Sequence, residues 1–217
     1  MRNQFDEMLE QLNTELIHMG ALCEEAIENS TKLLCKKDGC VEKVAAVEEE
    51  INSMERKIEG MCMKLLLRQQ PVARDLRQIS SALKMISDME RIGDQALDIA
   101  EVARFINSTK TEKNQHLEKM AKETIKMLSH AIDAFVKKDL QMVHEVMKFD
   151  DIVDDLFSLI KKEVIQGISE EHEDGEYLAD VLMAAKYLER IGDHTVNLVE
   201  WVEYSLTGVH PKSKGNE

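Results

Sequence analysis

An all-α fold, a tandem repeat of two antiparallel three-helix bundles, is predicted by three observations. The first is composition: two prolines, nine glycines and 4% aromatic residues against 32% charged ones leave little room for a sheet and favour amphipathic helices. The second is periodicity, with apolar residues recurring at three- and four-residue spacing between breakers, as one face of a helix requires. The third is repetition. The pentapeptide Glu90-Arg91-Ile92-Gly93-Asp94 returns 99 positions later as Glu189-Arg190-Ile191-Gly192-Asp193, in a chain of 217 residues. Lys36-Lys37-Asp38 is answered by Lys137-Lys138-Asp139 at an offset of 101, and Ile51, Met54 and Ile58 by Val153, Leu156 and Ile160 at 102. A period of this size marks duplicated units, each long enough to bury a modest core and able to share one with its neighbour.

Breakers place the elements in order. The first helix is expected from about Asn3 to Lys36, ending near Asp38-Gly39. The second continues to about Gln69, where Pro71 forces a boundary, and the third runs from Val72 to about Asn107. Ser108 to Asn114 is the natural linker. In the second half a helix from about Gln115 to Lys138 precedes Asp139, a good N-cap, and is followed by a helix to about Gln166. A polar turn from Gly167 to Gly175 leads to a last helix over Glu176 to Leu206, and beyond Thr207-Gly208 lies a tail expected to fray. The expected units are therefore 1–107, 108–208 and a flexible tail at 209–217, with the two bundles end to end or side by side.

Charge narrows the functional classes. Forty-two acidic against 28 basic residues give a formal charge of −14, which disfavours a nucleic acid or anionic lipid surface as the main partner. The amino terminus lacks the apolar run of a signal peptide, and no stretch approaches a membrane span, so a cytoplasmic protein is expected. Cys23, Cys35, Cys40 and Cys62 form no Cys-x-x-Cys pair and read as reduced, partly buried thiols.

The repeated pentapeptide is costly in a helix. A mid-helix Gly costs about 1 kcal/mol relative to Ala, and Asp is a poor interior helix former, so two copies need a reason beyond folding. At about 100° per residue, Asp94 falls about 40° from Glu90, Asp98 about 80° and Glu101 about 20°, which makes one acidic stripe. Ile79, Leu83, Ile86 and Leu97 fall on the same side, so the stripe is expected to face the bundle interior. Leu178, Leu182 and Val196 share a face with Glu189, Asp193 and Glu200 in the repeat, where Asn197 takes the place of Asp98. A second acidic row stands on the preceding helix: Glu48 and Asn52, continued by Glu55 and Glu59, match Asp150 and Asp154. If adjacent helices run antiparallel, the rows converge and offer oxygen ligands to hard cations. Gly93 and Gly192 then let a neighbouring backbone come close. A solvated acidic face is the plain reading of one such motif, and two copies in register, each opposite a second acidic row, weigh against it.

Other features carry less. Arg68-Gln69-Gln70-Pro71-Val72-Ala73-Arg74-Asp75-Leu76-Arg77 gathers three arginines at a turn, readable as an anion or partner site but more simply as a helix N-cap by Asp75 with solvated arginines. His194 beside the second motif reads as incidental, and the 13 methionines as core filling.

Over nearly its whole length the chain resembles the PhoU proteins, accessory regulators of bacterial phosphate transport, through the two Glu-Arg-Ile-Gly-Asp copies on third helices and the Arg-Gln-Gln-Pro-Val-Ala-Arg-Asp-Leu-Arg turn. The resemblance implies multinuclear metal sites on the bundle surface, carried here by Glu90, Asp94 and Asp98 and by Glu189 and Asp193. Asn197 departs from the third acidic position, and Asp150 and Asp154 stand where the first half has Glu48 and Asn52. A groove between helices reconciles surface sites with an inward stripe. The implied cofactors are divalent or trivalent metal ions: iron, zinc, magnesium or manganese. The implied partners are the ATPase subunit of the phosphate ABC transporter, a sensor histidine kinase and a second copy in a homodimer, with the membrane reached only through partners. The implied role is negative regulation of the phosphate-starvation response without catalysis. Two alternatives stand beside it. A ferritin-like di-iron oxidase needs paired Glu-x-x-His elements, and the chain offers only Glu15-Leu16-Ile17-His18 on the first helix. A purely structural helical scaffold would leave its acidic rows solvated.

Overall fold

The computed structural model describes residues 2–36, 39–68, 71–106, 115–169 and 174–209. Among them the chain is all helix: α1 (Arg2–Lys36), α2 (Val41–Arg68), α3 (Ala73–Ala103), α4 (Gln115–Lys137), α5 (Leu140–Ser169) and α6 (Gly175–Thr207). Three expected boundaries move. The third helix stops at Ala103 and leaves residues 104–106 as a turn. The fifth runs through Gly167 to Ser169, because a single Gly lowers helix propensity without ending the helix. Asp75 is no N-cap: it lies inside the first turn of α3 and its carboxylate reaches back to accept from the Val72 N–H at 3.2 Å. Asp139 caps as expected, accepting from the Gln141 N–H at 2.8 Å. Asp174 does the same for α6 through the Glu176 N–H at 3.0 Å. At the far end of α6, Gly208 adopts φ 79°, the left-handed conformation that glycine tolerates best. Asp38, Gln69, Asn107, the 108–114 linker, the middle of the 167–175 turn and the tail beyond 209 lie outside the described residues.

Helices α1–α3 pack on one another, as do α4–α6, and the two sets lie side by side with α3 along α6 and α1 against α4. One apolar core runs through all six helices, from Leu16 and Met19 through Ile51, Met89, Met120 and Val153 to Leu188 and Ile191. Close approach of α1 and α4 depends on Gly20, where a Cβ would stand 2.8 Å from Ile132 Cδ1. All four cysteines are free: Cys23 and Cys62 buried, Cys35 half-buried and Cys40 exposed. Methionines 19, 54, 85, 89, 120 and 127 fill the core as expected, while Met63 and Met183 are exposed.

Candidate metal centre

Three cross-contacts fix how α3 meets α6. Arg77 lies against Gly208, Asp88 accepts from Asn197 at 3.3 Å and meets His194 Nδ1 at 3.0 Å, and Asp98 feels the charge of Arg190. Rising numbers on α3 meet falling numbers on α6, so the pair is antiparallel, and the register puts Gly93 and Gly192 near its middle. Both pentapeptides therefore face a single groove of about 920 Å³, lined by Glu90, Arg91, Asp94 and Gln95 from one half and Asp150, Arg190, Asp193, His194, Asn197 and Glu200 from the other.

The acidic stripe of α3 flanks the core instead of pointing into it. Met85, Met89, Ile92, Ala96 and Ile99 are buried, whereas Leu83, Leu97, Glu90, Asp94 and Asp98 are only half-buried. In α6, Glu189 is half-buried and Asp193 exposed, while Leu182 and Val196 also stay half-buried. Ionised carboxylates keep the edge, where water still reaches them, and the fully dry stripe goes to apolar side chains.

From that edge each stripe meets the second acidic row. In the first half, the carboxylates of Glu48 and Asp94 stand in hydrogen-bonding reach across α2 and α3, and the Asn52 amide donates to Glu48 on its own helix. Burial, opposed by the Asn52 hydrogen bond and reinforced by Asp94, raises the pKa of Glu48. Burial followed by the charges of Asp94 and Glu55 raises Glu90, and burial with Glu101 and Asp94 raises Asp98. Glu55 joins the row with a raised value from burial and Glu59.

In the second half, burial and then Asp154 and Asp193 push the Asp150 carboxyl up to about 6. Asp154 is raised by burial and Glu189, and Asp193 by burial and Glu189 with partial relief from Lys186. Lys186 Nζ also forms an ion pair with Glu189. Crowding of like charge is thus real in both halves, and either protons or cations relieve it.

At the two motif glycines the neighbouring backbone expected from the sequence is not what comes close. What approaches is a side chain from the neighbouring helix: a Cβ on Gly93 would lie 3.0 Å from Ile51 Cδ1, and one on Gly192 3.3 Å from Asp150 Oδ1. Gly192 thereby makes room for a candidate ligand itself.

Two candidate residues sit apart from these convergent sets. Asn197 turns to Asp88 across the α3–α6 seam, and Asp98 faces Glu101 and Arg190. Glu200, which the sequence placed only on a shared face, is buried at the groove. The partnership of Asp88 with His194 joins residues 106 positions apart and was missed, because nothing local marks it. Among the described residues no group of three or more His, Cys, Asp or Glu is placed to hold a metal ion as it stands. The donors are oxygens in facing rows, a set that suits hard cations. In the first turns of α3, Arg74 is exposed and Arg77 Nε is buried against Gly208 without a hydrogen-bond partner.

Comparison with known proteins agrees with this architecture. The PhoU domain model matches residues 16–103 and 117–202, one match in each half. The phosphate-specific transport system accessory protein PhoU homolog of Clostridium acetobutylicum is 36% identical over 213 residues, covering 95% of this chain and 96% of that protein. The crystal structure of PhoU from Pseudomonas aeruginosa superposes with a TM-score of 0.85 at 31% identity, over 94% of this chain and 100% of that one. The phosphate transport system regulatory protein PhoU from Streptococcus pneumoniae gives 0.84 at 27% identity, over 95% and 98%. With a family match in each half and near-complete coverage of its relatives, the chain belongs to the PhoU family.

Proposed function

We propose that this protein is a non-enzymatic accessory regulator of phosphate uptake, a metal-binding adaptor that keeps the phosphate-starvation response off when phosphate is plentiful. Its partners in this reading are the ATPase subunit of the phosphate ABC transporter and a sensor histidine kinase. It acts in the cytoplasm, as a homodimer, and reaches the membrane through those partners. The names of the relatives support the transport role, and no described helix is long and apolar enough to cross a membrane.

One observation carries the metal part: in both halves an acidic row from one helix meets the motif of the next. Glu48, which accepts from Asn52, and Glu55 meet Glu90 and Asp94, and Asp150 and Asp154 meet Glu189 and Asp193. These residues would hold hard cations, which neutralise clustered carboxylates and brace adjacent helices; iron, zinc, magnesium and manganese all take such donors. The oxidase reading is weakened by Glu15, which is engaged by Lys57 at 2.6 Å, and by an exposed His18. The scaffold reading is weakened by the desolvation of the rows.

The test is complementation of a deletion strain. The wild-type protein is expected to carry metal and silence phosphate-responsive reporters in phosphate-replete cells. Asp94→Ala with Asp193→Ala is expected to lose most of the metal, keep its helical circular dichroism and leave the reporters on. Reporters silent in the deletion strain, or unchanged metal content in the double variant, would overturn the respective half of the proposal.

A further inference from the structure

The duplicated clusters differ at one position that alters their electrostatics. Counting 99 positions back from Lys186 gives Ser87, whose exposed hydroxyl donates to its own helix at Leu83 O, 3.5 Å away. Lys186 instead reaches into the second cluster. Its ammonium pairs with Glu189, stands 5.3 Å from the centroid of the Phe157 ring on α5, and lends positive charge to Asp154 and Asp193. Two independent contacts therefore hold it in place, one ionic and one cation–π. In the first half, among the described residues, no lysine or arginine forms an ion pair with Glu48, Glu55, Glu90 or Asp94, and Arg56 and Arg91 only lend positive charge to Glu55 and Glu90.

We propose that Lys186 is a built-in counter-ion of the second cluster, so that the two halves take metal unequally: the first half with no ion-paired cation to displace, the second only by displacing the ammonium. This rests on reading both clusters as metal centres. A tethered cation is always present at the site, so it competes with any added ion as an intramolecular ligand does, at high effective concentration.

The test titrates Mn²⁺, counted by electron paramagnetic resonance of the free ion and by calorimetry. Asp193→Asn isolates the first half and Asp94→Asn the second, each with and without Lys186→Ser. The first half is expected to bind Mn²⁺ about tenfold more tightly than the second, a difference of about 1.4 kcal/mol. Lys186→Ser is expected to close that gap in the Asp94→Asn protein and to change nothing in the Asp193→Asn protein. Lys186→Met, which keeps the stem over Phe157, should act like Ser, and Lys186→Arg should keep the weak binding. Without metal, the Lys186→Ser protein should melt below wild type, and Mn²⁺ should restore it. Unchanged Mn²⁺ affinity of the second half in both uncharged variants would overturn the role of Lys186 while leaving the metal centres standing. No Mn²⁺ bound by any of these proteins would overturn both.

Discussion

Asp150 carries the largest consequence at the scale of single residues. Its carboxyl is pushed from 3.8 up to about 6 by burial, then by Asp154 and Asp193. The native chain therefore binds that proton more tightly than the unfolded chain does. Protonation favours the folded state at the acid end, and this contribution disappears as pH rises from about 4 to about 6. Glu48, Glu90, Asp154 and Asp193 are shifted the same way and add to the slope. Metal-free protein should thus melt higher at pH 5 than at pH 7.5, and a bound divalent cation should reverse the order. Asp150→Asn should shrink the difference and raise the metal-free melting temperature at pH 7.5 by a few degrees, as thermal melts at the two pH values would record. Melts of the metal-free variant with an undiminished pH slope would count against this account. The identity of these residues was legible in the sequence through their spacing alone. Their environment was not, because wheel angles order side chains around one helix and say nothing of where the neighbouring helix leaves a water-filled edge.

At the scale of the element, each acidic cluster depends on how closely two helices approach at a glycine. Gly93→Ala must displace Ile51, which sits 3.0 Å from the new carbon in a closed part of the core. Overpacking of this kind costs about 1–3 kcal/mol, which outweighs the gain of about 1 kcal/mol from better helix propensity. Gly192→Ala meets the Asp150 carboxylate instead, at 3.3 Å, and a terminal carboxylate can swing away. Urea unfolding is therefore expected to show a clear loss for Gly93→Ala and little or none for Gly192→Ala, whereas Mn²⁺ binding by the second half falls for Gly192→Ala. Equal losses of stability would refute the distinction. Helix number and order were readable from the breakers, since Pro71 and the Asp139 cap act within a few residues. The overrun of α5 past Gly167 was not, because a single Gly costs only about 1 kcal/mol of helix propensity and does not by itself end a helix.

At the scale of the whole molecule, the seam between α3 and α6 joins the halves. Asp88 and His194 are 15% and 17% exposed, so their contact is largely shielded from water, and Asn197 donates to the same carboxylate. Asp88→Ala removes the acceptor that His194 Nδ1 and the Asn197 amide share at the seam, a change worth about 1–3 kcal/mol. The urea midpoint should fall, and amide exchange along α6 near His194 should quicken while α1 and α2 change least. Exchange that rises evenly over all six helices would argue against a local seam. The duplication was visible in the two pentapeptides, but the antiparallel register that makes them share one groove was not, because it rests on pairs about a hundred positions apart.

That register is the geometry of a two-fold axis running between Gly93 and Gly192. Two separate, identical chains of three helices can satisfy it as well as one chain of six, and the continuous core explains why a lone unit would leave an apolar flank in water. An ancestor of half this length is then best pictured as an obligate symmetric dimer whose two lobes had to match residue for residue. Only after fusion into one gene could Ser87 and Lys186, or Asp98 and Asn197, drift apart and give the lobes separate jobs.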